Sequence, residues 1–559
     1  MASFRSHLPA LVLFAVVAAL LLYPALGSLG SAIPGHPQSD AYEHVQGYWW
    51  VADSLRHGEF PWRTAAFGVP SEGVLWFPDT IGALLALPIT LLGGAPLAYC
   101  GLVFTQVWAA SVAAYVLGFH VSRSRAAGVL AGVVFGASPF VLGLVHSGVS
   151  EYLHLAAFPA LWLAGERALS RGGRWVFAAA LAWAWLGWAN AYYAMFGAFV
   201  LPLVWLAGVE VGWRVWVPRM AAVVAIAAVL VFPVALVIRE SISASTAVLR
   251  EESAPGWSWV YLPANDVASF VFPGDQLFPD FRDNGNFGIR HVSYLGWVAL
   301  IAAAFVWRRW WRPMLLAGVL ALGPSLHWRG QPVKVGSHFV PLPAALLYLP
   351  GSPFRAVHHP YRMTVLPLLV LAAAAADALR KRPGLALSAA SLALGETLLV
   401  SPGHWPIDTA PLSGVATLPE SGGVWDLPPD FRAQNRRWMG LQAVHGRRIP
   451  YTINVFLPAP WRGNQLYQSV MGCLDHPDHA TIARDARPPL GVWLLHDSPQ
   501  TLEQGIAEVR GWGIRYVVVH EDVLNARESK CFGKLLMQGG AVEVPQGEGS
   551  ERAFDFGGG

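Results

Sequence analysis

An acidic residue lies at the start of an aromatic segment, directly after the first membrane-length apolar run. The segment runs from Ser39 to Trp50 and reads SDAYEHVQGYWW. A carboxylate close to a bilayer is costly to desolvate, which favours a functional role. Asp40 could act as a general base or bind a divalent cation. Alternatively, Asp40 and Glu43 fit a capping box, in which each side chain accepts a hydrogen bond from an amide at the start of a helix.

A second polar cluster, HSGVSEYLH, occupies residues 146–154. Glu151 and His154 are three positions apart, so they would project from one face of a helix that begins at Ser150. A carboxylate and an imidazole there could ligate a divalent metal such as Mg or Mn together with Asp40. The alternative is a helix start, in which Ser150 is the cap and Glu151 complements the helix dipole.

A third cluster, RAVHHPYR, occupies residues 355–362 and precedes an apolar run. It places Arg355, His358, His359 and Arg362 on the side of the membrane that basic residues usually avoid. Guanidinium groups bind phosphate oxygens in a bidentate manner, so these side chains suit a phosphate at headgroup depth. Alternatively, the arginines extend towards anionic lipid headgroups without specificity.

Two tyrosines, Tyr192 and Tyr193, follow Asn190 at a turn between two apolar runs. Their position on the same side as Asp40 would let them line a polar cavity. They also fit the aromatic belt that membrane proteins place at the interface.

The composition is that of a polytopic membrane protein. Of the 559 residues 54% are apolar and only 13% are charged, and there are 26 tryptophans. These values predict many membrane spans with interfacial aromatic belts. The net charge is +3, and no basic stripe with interleaved aromatics occurs, which argues against a nucleic-acid partner. Basic residues are nearly all arginine, and Ala, Gly and Pro are frequent, which is typical of a GC-rich bacterial genome.

The apolar runs alternate with arginine clusters in a way that predicts about eleven spans, with the N-terminus inside and the C-terminus outside. The first run, 9–27, could instead be a cleaved signal peptide, although retention is favoured because many spans follow. The short run 77–93 is interpreted as a re-entrant or interfacial hairpin, because its crossing would place Arg123 on the outer side. The predicted outer loops are 28–95, 239–291 and 327–360. The predicted spans are 9–27, 96–119, 127–145, 153–169, 175–190, 192–209, 217–238, 292–307, 313–326, 361–378 and 384–400.

The fold class predicted from these patterns is a polytopic α-helical membrane domain, 1–400, followed by a small soluble α/β domain, 401–559, outside the cytoplasm. Cys473 and Cys531 lie in the second domain, where they could pair or remain free thiols. The pattern of apolar runs, caps and glycines predicts its elements. These are strands at 424–427, 492–495 and 516–520, and helices from Ser498 to Val509 and from Asp522 to about Gln538.

The order of these parts resembles the GT-C superfamily of integral-membrane glycosyltransferases, which take sugars from polyprenyl-phosphate carriers. The shared pattern is a first span, an outer loop with an acid and an aromatic helix, a Phe-Pro stretch, a second acid after the third span, and an outer C-terminal domain. The residues that carry the resemblance are Asp40 to Trp50, Phe77-Pro78, Glu151, Tyr294-Leu295-Gly296, Phe354-Arg355, His359-Pro360-Tyr361-Arg362, His445-Gly446-Arg447 and Arg515-Tyr516-Val517-Val518.

The resemblance implies that Asp40 is the catalytic carboxylate and Glu151 a second acid near it. It implies transfer of a hexosyl or pentosyl group from a polyprenyl-phosphate donor to an envelope glycan, lipid or protein on the outer face of the bacterial cytoplasmic membrane. Arg355 and Arg362 would then take up the charge of the leaving phosphate. This chain has Ser39-Asp40 where a paired D-x-D would stand, which leaves metal dependence open.

Two other classes of function stay open at this point. A transporter or flippase for a lipid-linked sugar would have inverted repeats and broken helices with charges in mid-membrane. The charges here cluster at the ends of the apolar runs, and no two-fold repeat is found. A non-catalytic envelope assembly protein would need Asp40 only as a helix cap.

The predicted topology places Arg123 in the cytoplasm and Gly549 outside, because arginine-rich loops stay inside. Single cysteines introduced at these two positions should differ in their labelling when intact cells are treated with a membrane-impermeant maleimide. Position 549 should react and position 123 should not. Labelling of both positions from the same side would contradict the eleven-span scheme.

Overall fold

The structure is a computed structural model of the whole chain. It describes residues 4–29, 32–36, 39–70, 73–74, 79–209, 211–243, 264–273, 292–328, 331–357, 359–401, 406–408, 418, 421–429, 434–451, 457–474, 501–545 and 551–557.

The chain divides into two compact units. The first comprises Met1–Ala41, Pro78–Ala235 and Trp257–Asp408, and the second comprises Tyr42–Phe77, Leu236–Gly256 and Thr409–Gly559. The segment that follows Asp40, which the sequence assigned to an outer loop of the membrane domain, is therefore grouped with the C-terminal residues. The domain boundary after residue 400 stays a prediction.

Helices account for most of the described chain. In order they are α1 Leu8–Leu21, α2 Tyr23–Leu26, α3 Ala41–Arg56, α4 Thr80–Gly93, α5 Ala95–Ser122, α6 Arg125–Gly136, α7 Pro139–His146, α8 Ala157–Arg171, α9 Arg174–Ala189, α10 Ala191–Gly197, α11 Val200–Leu206, α12 Trp213–Ser243, α13 Trp297–Ala304, α14 Trp307–Ala321, α15 Val365–Ala378, α16 Pro383–Val400, α17 Gln434–His445, α18 Ala459–Gly463, α19 Gln465–Cys473, α20 Leu502–Gly511 and α21 Ala526–Gln538.

Five helical stretches in the described part of the chain are long and apolar enough to cross a membrane: Ala95–Ser122, Arg125–His146, Trp213–Glu240, Pro360–Ala378 and Pro383–Val400. Three shorter apolar helices accompany them, Leu8–Leu21, Thr80–Gly93 and Ala191–Leu206. Each of the eleven expected spans overlaps a helix. The number of crossings, and whether α4 crosses, stay predictions.

Small residues let the central helices of the first unit approach each other closely. A Cβ at Gly136 of α6 would overlap the backbone nitrogen of Ser111 on α5, and one at Gly118 of α5 would overlap the Cβ of Ala131. Such small-residue contacts are the usual way for apolar helices to pack in a membrane, where no hydrophobic force drives helices together. In the stretches Arg125–His146 and Pro360–Ala378, 94% of the residues in the most apolar window are buried within the protein. They form the interior of this unit.

The Tyr294-Leu295-Gly296 motif has a structural explanation. The Glu396 carboxylate on α16 accepts hydrogen bonds from the Tyr294 hydroxyl and from the amide nitrogens of Trp297, at 2.8 Å, and Val298, at 3.4 Å. These amides form the start of α13, so the carboxylate supplies the acceptors that a helix N-terminus lacks. A side chain from a distant helix thus caps α13.

A four-stranded sheet forms the core of the second unit. Its strands are β9 Gly423–Leu427, β10 Ile514–His520, β11 Val542–Val544 and β12 Glu551–Asp555, in the spatial order β11-β12-β10-β9. β10 pairs parallel with β9 and antiparallel with β12. The remaining strands are short ladders: β1 Ala32–Pro34 with β8 Pro406–Asp408, β2 Arg63–Thr64 with β3 Gly73–Val74, β4 His327–Trp328 with β5 Gln331–Pro332, and β6 Lys334–Val335 with β7 His338–Phe339.

The predicted strands at 424–427 and 516–520 are confirmed as β9 and β10. The helix predicted from Ser498 has its cap at Thr501, which forms a capping box with Gln504, so that start was placed too early. The helix predicted from Asp522 begins at Ala526, because Asn525 and Glu528 form its capping box. The predicted strand 492–495 lies outside the described residues.

Cys473 and Cys531 form a disulfide bond, which joins α19 to α21 across 58 residues of sequence. The two alternatives left open by the sequence are thereby decided in favour of pairing. A disulfide that closes a loop of this length lowers the conformational entropy of the unfolded chain, which stabilises the folded unit.

Replacing both cysteines by serine should lower the free energy of unfolding of the C-terminal unit by about 2–4 kcal/mol, the usual range for a loop of this length. The measurement is urea unfolding of the full-length protein in detergent, followed by limited proteolysis of the C-terminal unit. Cys100→Ala is the control, because Cys100 is the free, buried cysteine of α5. Equal midpoints for the double variant and the control would contradict this.

Candidate functional site

Asp40 is attached through its backbone to the turn that precedes Glu151. Its amide nitrogen donates to the carbonyl oxygen of Ser147 at 3.2 Å, and the amide of His36 donates to the carbonyl of His146 at 2.9 Å. The rings of His36 and His146 lie 5.0 Å apart. The first two acids of the sequence analysis are thus brought together by main-chain bonds within the first unit.

Gly148 permits this approach. It has φ +69°, and a Cβ there would overlap the amide nitrogen of Ala41 and lie 2.7 Å from Ser39 Oγ. The position therefore excludes a side chain for two reasons, a left-handed backbone and the lack of space.

Asp79, which the sequence analysis did not select, is the most extensively bonded acid of the cluster. It is fully buried. Its carboxylate accepts from Ser150 Oγ at 2.5 Å, from His154 Nε2 at 2.8 Å and from the amide of Gly82 at 3.1 Å. The last bond caps α4. Charge-assisted bonds from three donors compensate an ionised carboxylate for burial.

His154 is held in one tautomer. Its Nδ1 receives hydrogen bonds from Gln106 Nε2 at 3.0 Å and Trp185 Nε1 at 3.2 Å. Because both of these groups are donors, Nδ1 is the acceptor and the proton of a neutral ring is on Nε2, facing Asp79. Both ring nitrogens are therefore engaged by the protein.

The Tyr99 phenol on α5 lies near the acids of this cluster. Asp40, Asp79 and Glu151 all lie within electrostatic range of its hydroxyl. Glu151 is also within electrostatic range of Arg362. The structure therefore brings together Asp40, Glu151 and Arg362, three of the residues selected from the sequence.

Arg362 is a buried cation with a partly unused guanidinium. Its residue is 4% exposed, and the guanidinium carbon lies 3.6 Å from the centre of the Tyr152 ring. Among the described residues the guanidinium donates one hydrogen bond, from Nε to the Tyr361 hydroxyl at 3.3 Å. The terminal nitrogens, which form the fork that binds anions, are thus not taken up by described protein groups.

Tyr192 and Tyr193 flank the same turn. The Tyr193 hydroxyl donates to the carbonyl oxygen of Tyr152 at 2.8 Å, and the Tyr192 and Tyr152 rings are 6.1 Å apart. Asn190 caps α10 by accepting from the amide of Tyr192 at 2.7 Å. Both tyrosines thus support Tyr152, on which Arg362 stacks.

The remaining basic residues of the third cluster lie on short turns. Arg355 is half-buried in the turn Pro353–Ala356. His359 directly precedes the turn Pro360–Thr364, with its ring 5.8 Å from that of Tyr361. His358 lies outside the described residues.

The geometry expected for a metal site differs from what is found. Residues 150–152 form a short 3-10 turn and α8 begins only at Ala157, so the helix start expected at Ser150 was wrong. The Ser150 hydroxyl bonds Asp79 and does not cap a helix. Among the described residues, no group of three or more His, Cys, Asp or Glu side chains could hold a metal ion. The set Asp40, Glu151 and His154 is therefore not assembled, since the nitrogens of His154 are already used.

One signal in the sequence could have identified Asp79. It directly follows Phe77-Pro78 and precedes an apolar run, which is the position of an N-cap. The fact that its carboxylate also reaches Ser150 and His154 depends on contacts more than 70 residues apart in sequence. No local pattern contains that information.

No protein-family model matches the sequence, and no curated protein sequence matches it. Solved structures do match. Two cryo-EM structures of the arabinofuranosyltransferase AftD from mycobacteria align with 100% and 98% of this chain, at TM-score 0.53 and 15% and 18% identity. The oligosaccharyltransferase of Archaeoglobus fulgidus aligns with 92% of this chain at TM-score 0.40 and 11% identity.

The chain therefore shares its overall fold with AftD, a membrane glycosyltransferase of the kind that the sequence resemblance led us to expect. This chain spans 42% of the length of AftD.

Gly148→Ala should cost about 3 kcal/mol or more of folding free energy, because overlap with a backbone atom adds to the strain of positive φ. Gly173→Ala is the matched control. Gly173 has φ +57°, and no atom lies within 4 Å of the place that a Cβ would take, so only the strain of about 1–2 kcal/mol applies. Thermal unfolding in detergent measures both variants. Equal losses would show that segment 39–41 can move away from Gly148.

Proposed function

We propose that this protein is a membrane glycosyltransferase that moves a sugar from a polyprenyl-phosphate carrier to an envelope acceptor on the outer face of the bacterial cytoplasmic membrane. The observation that carries the proposal is the buried Arg362 guanidinium, which stacks on the Tyr152 ring and lies within electrostatic range of the Glu151 carboxylate. Its unused terminal nitrogens suit a phosphate, and the acids suit proton transfer.

The chemistry requires one bond to form and one to break. The acceptor hydroxyl oxygen attacks the anomeric carbon of the sugar while the bond from that carbon to the phosphate oxygen breaks. Asp40 takes the hydroxyl proton as general base. The polyprenyl phosphate leaves with the electron pair, and Arg362 stabilises the charge that develops on it.

The other residues have supporting roles in this proposal. Glu151 is a second acid that faces both Tyr99 and Arg362, where it orients the guanidinium and the acceptor. Arg355 and His359 lie on the chain just before Arg362 and would bind the outer part of the phosphate. Tyr192 and Tyr193 hold the Tyr152 ring beneath the guanidinium.

The proposal includes a divalent cation, but without His154 as one of its ligands. A divalent cation would have to be held by Asp40 and Glu151 with substrate oxygens or water, because His154 has no free nitrogen. A cation held this way would add to the charge that Arg362 supplies to the leaving phosphate.

The disulfide supports the assignment of the C-terminal unit to the outer side. Disulfides form and persist outside the reducing cytoplasm. The pair Cys473–Cys531 belongs to the C-terminal unit, so that unit fits an extracytoplasmic location.

The decisive variant is Asp40→Asn. Asp40 directly precedes the first residue of α3, and Asn caps helices as well as Asp does, so folding should change by only a few tenths of a kcal/mol. An amide cannot accept the hydroxyl proton at neutral pH. Turnover with a polyprenyl-phosphate sugar donor should therefore fall about 10²–10⁴-fold.

Asp53→Asn is the matched control, since Asp53 is an acid on the same helix that pairs with His57 at its exposed end. Its turnover should stay at the wild-type level. Near-normal transfer by folded Asp40→Asn would show that Asp40 is a helix cap and not the general base. If the wild-type protein instead moves the intact lipid-linked sugar across vesicles without transferring it, the protein is a transporter.

A further inference from the structure

The Asp79 carboxylate joins two parts of the first unit, the start of α4 and the stretch that contains Ser150 and His154. It accepts from the Gly82 amide within α4, from Ser150 Oγ and from His154 Nε2. The last two donors come from one short stretch of chain, and Glu151 lies between them in sequence. The two ends of this stretch are therefore fastened to a single carboxylate.

The stretch has little support of its own. Residues Ser150–Tyr152 form a 3-10 turn of three residues, in which the amides of Tyr152 and Leu153 donate to the carbonyls of Val149 and Ser150. A turn of this length does not persist without tertiary contacts. The side-chain bonds to Asp79 supply such contacts at both ends.

A second layer of bonds fixes the direction of the His154 ring. Gln106 from α5 and Trp185 from α9 both donate to its Nδ1. A half-turn of the ring would put the Cδ2–H group against these donors and would break the bond from Nε2 to Asp79, so the ring keeps one orientation. The orientation of the turn is thus set from α4, α5 and α9 together.

We infer that Asp79 is a positioning residue that holds the 149–154 turn and, through it, the Glu151 carboxylate beside Arg362 and Asp40. This inference rests on the proposed function, in which Glu151 is the second acid. Asp79 itself is saturated with donors, so it does not take the acceptor proton. It acts through the turn.

The first test uses Asp79→Asn and Ser150→Ala, with amide hydrogen exchange of the purified full-length protein as a readout that does not need activity. Asp79→Asn keeps the shape but removes the charge, and Ser150→Ala removes one bond to the turn. Each should speed exchange of the amides at 149–154 by about tenfold, because local opening becomes easier. If Asp79→Asn does not fold, Ser150→Ala carries this test.

The matched control is Asp377→Asn. Asp377 is another buried carboxylate of the first unit, with bonds from Arg309 at 2.9 Å, Trp310 at 3.0 Å and Arg380 at 3.2 Å. It ends α15, roughly 20 Å along the helix from Arg362. Its loss should leave the exchange at 149–154 and the value of kcat unchanged.

The second test measures transfer. Asp79→Asn should lower kcat about 10- to 100-fold with little change in KM, since a displaced group mainly affects the transition state. In a Glu151→Gln background the same change should have almost no further effect, because Asp79 acts through Glu151.

The outcomes separate this inference from the proposed function. If wild-type protein shows no transfer but Asp79→Asn speeds exchange at 149–154, Asp79 positions the turn and the proposed function is wrong. If wild-type protein is active and Asp79→Asn has normal exchange and a normal kcat, the positioning role is wrong. Additive losses in the Glu151→Gln background would also overturn it.

Discussion

A buried negative charge must be surrounded by donors, and in this protein that requirement organises the acidic cluster. Asp79 has no exposure to water, so its carboxylate depends on the Ser150 hydroxyl, the His154 ring and the Gly82 amide. The Gly82 amide is close to Asp79 in sequence, whereas the Ser150 and His154 donors are brought from one stretch more than 70 residues away. The turn that carries Glu151, the start of α4 and the polar faces of α5 and α9 are consequently fixed relative to one another.

The acid and the arginine of this cluster are stabilised by different kinds of contact. Asp79 is satisfied by hydrogen-bond donors, whereas Arg362 is buried against the Tyr152 ring and uses only its Nε–H in a protein hydrogen bond among the described residues. A stacked guanidinium is stabilised without occupying its terminal nitrogens. It therefore stays available to an anion, which is the property that a phosphate site in a membrane protein needs.

Close backbone approach is the second constraint on this unit. Gly148 lets residues 39–41 lie against the 146–148 turn, and glycines on α5 and α6 let those helices pack with their backbones near each other. In both places a methyl group would occupy space already filled by neighbouring atoms. The position of Asp40 thus depends on a glycine that has no chemical role of its own.

The sequence by itself determined the class of fold, because apolar length, arginine distribution and strand periodicity are local properties. It also selected Asp40, Glu151 and Arg362, since acids and arginines beside apolar runs are rare. It did not select Asp79, and its alternative of a helix that begins at Ser150 is not found, since α8 begins at Ala157. Only the tertiary structure shows that the Ser150 hydroxyl and His154 bind a carboxylate more than 70 residues away, because a hydrogen bond between distant segments leaves no periodic trace in the chain.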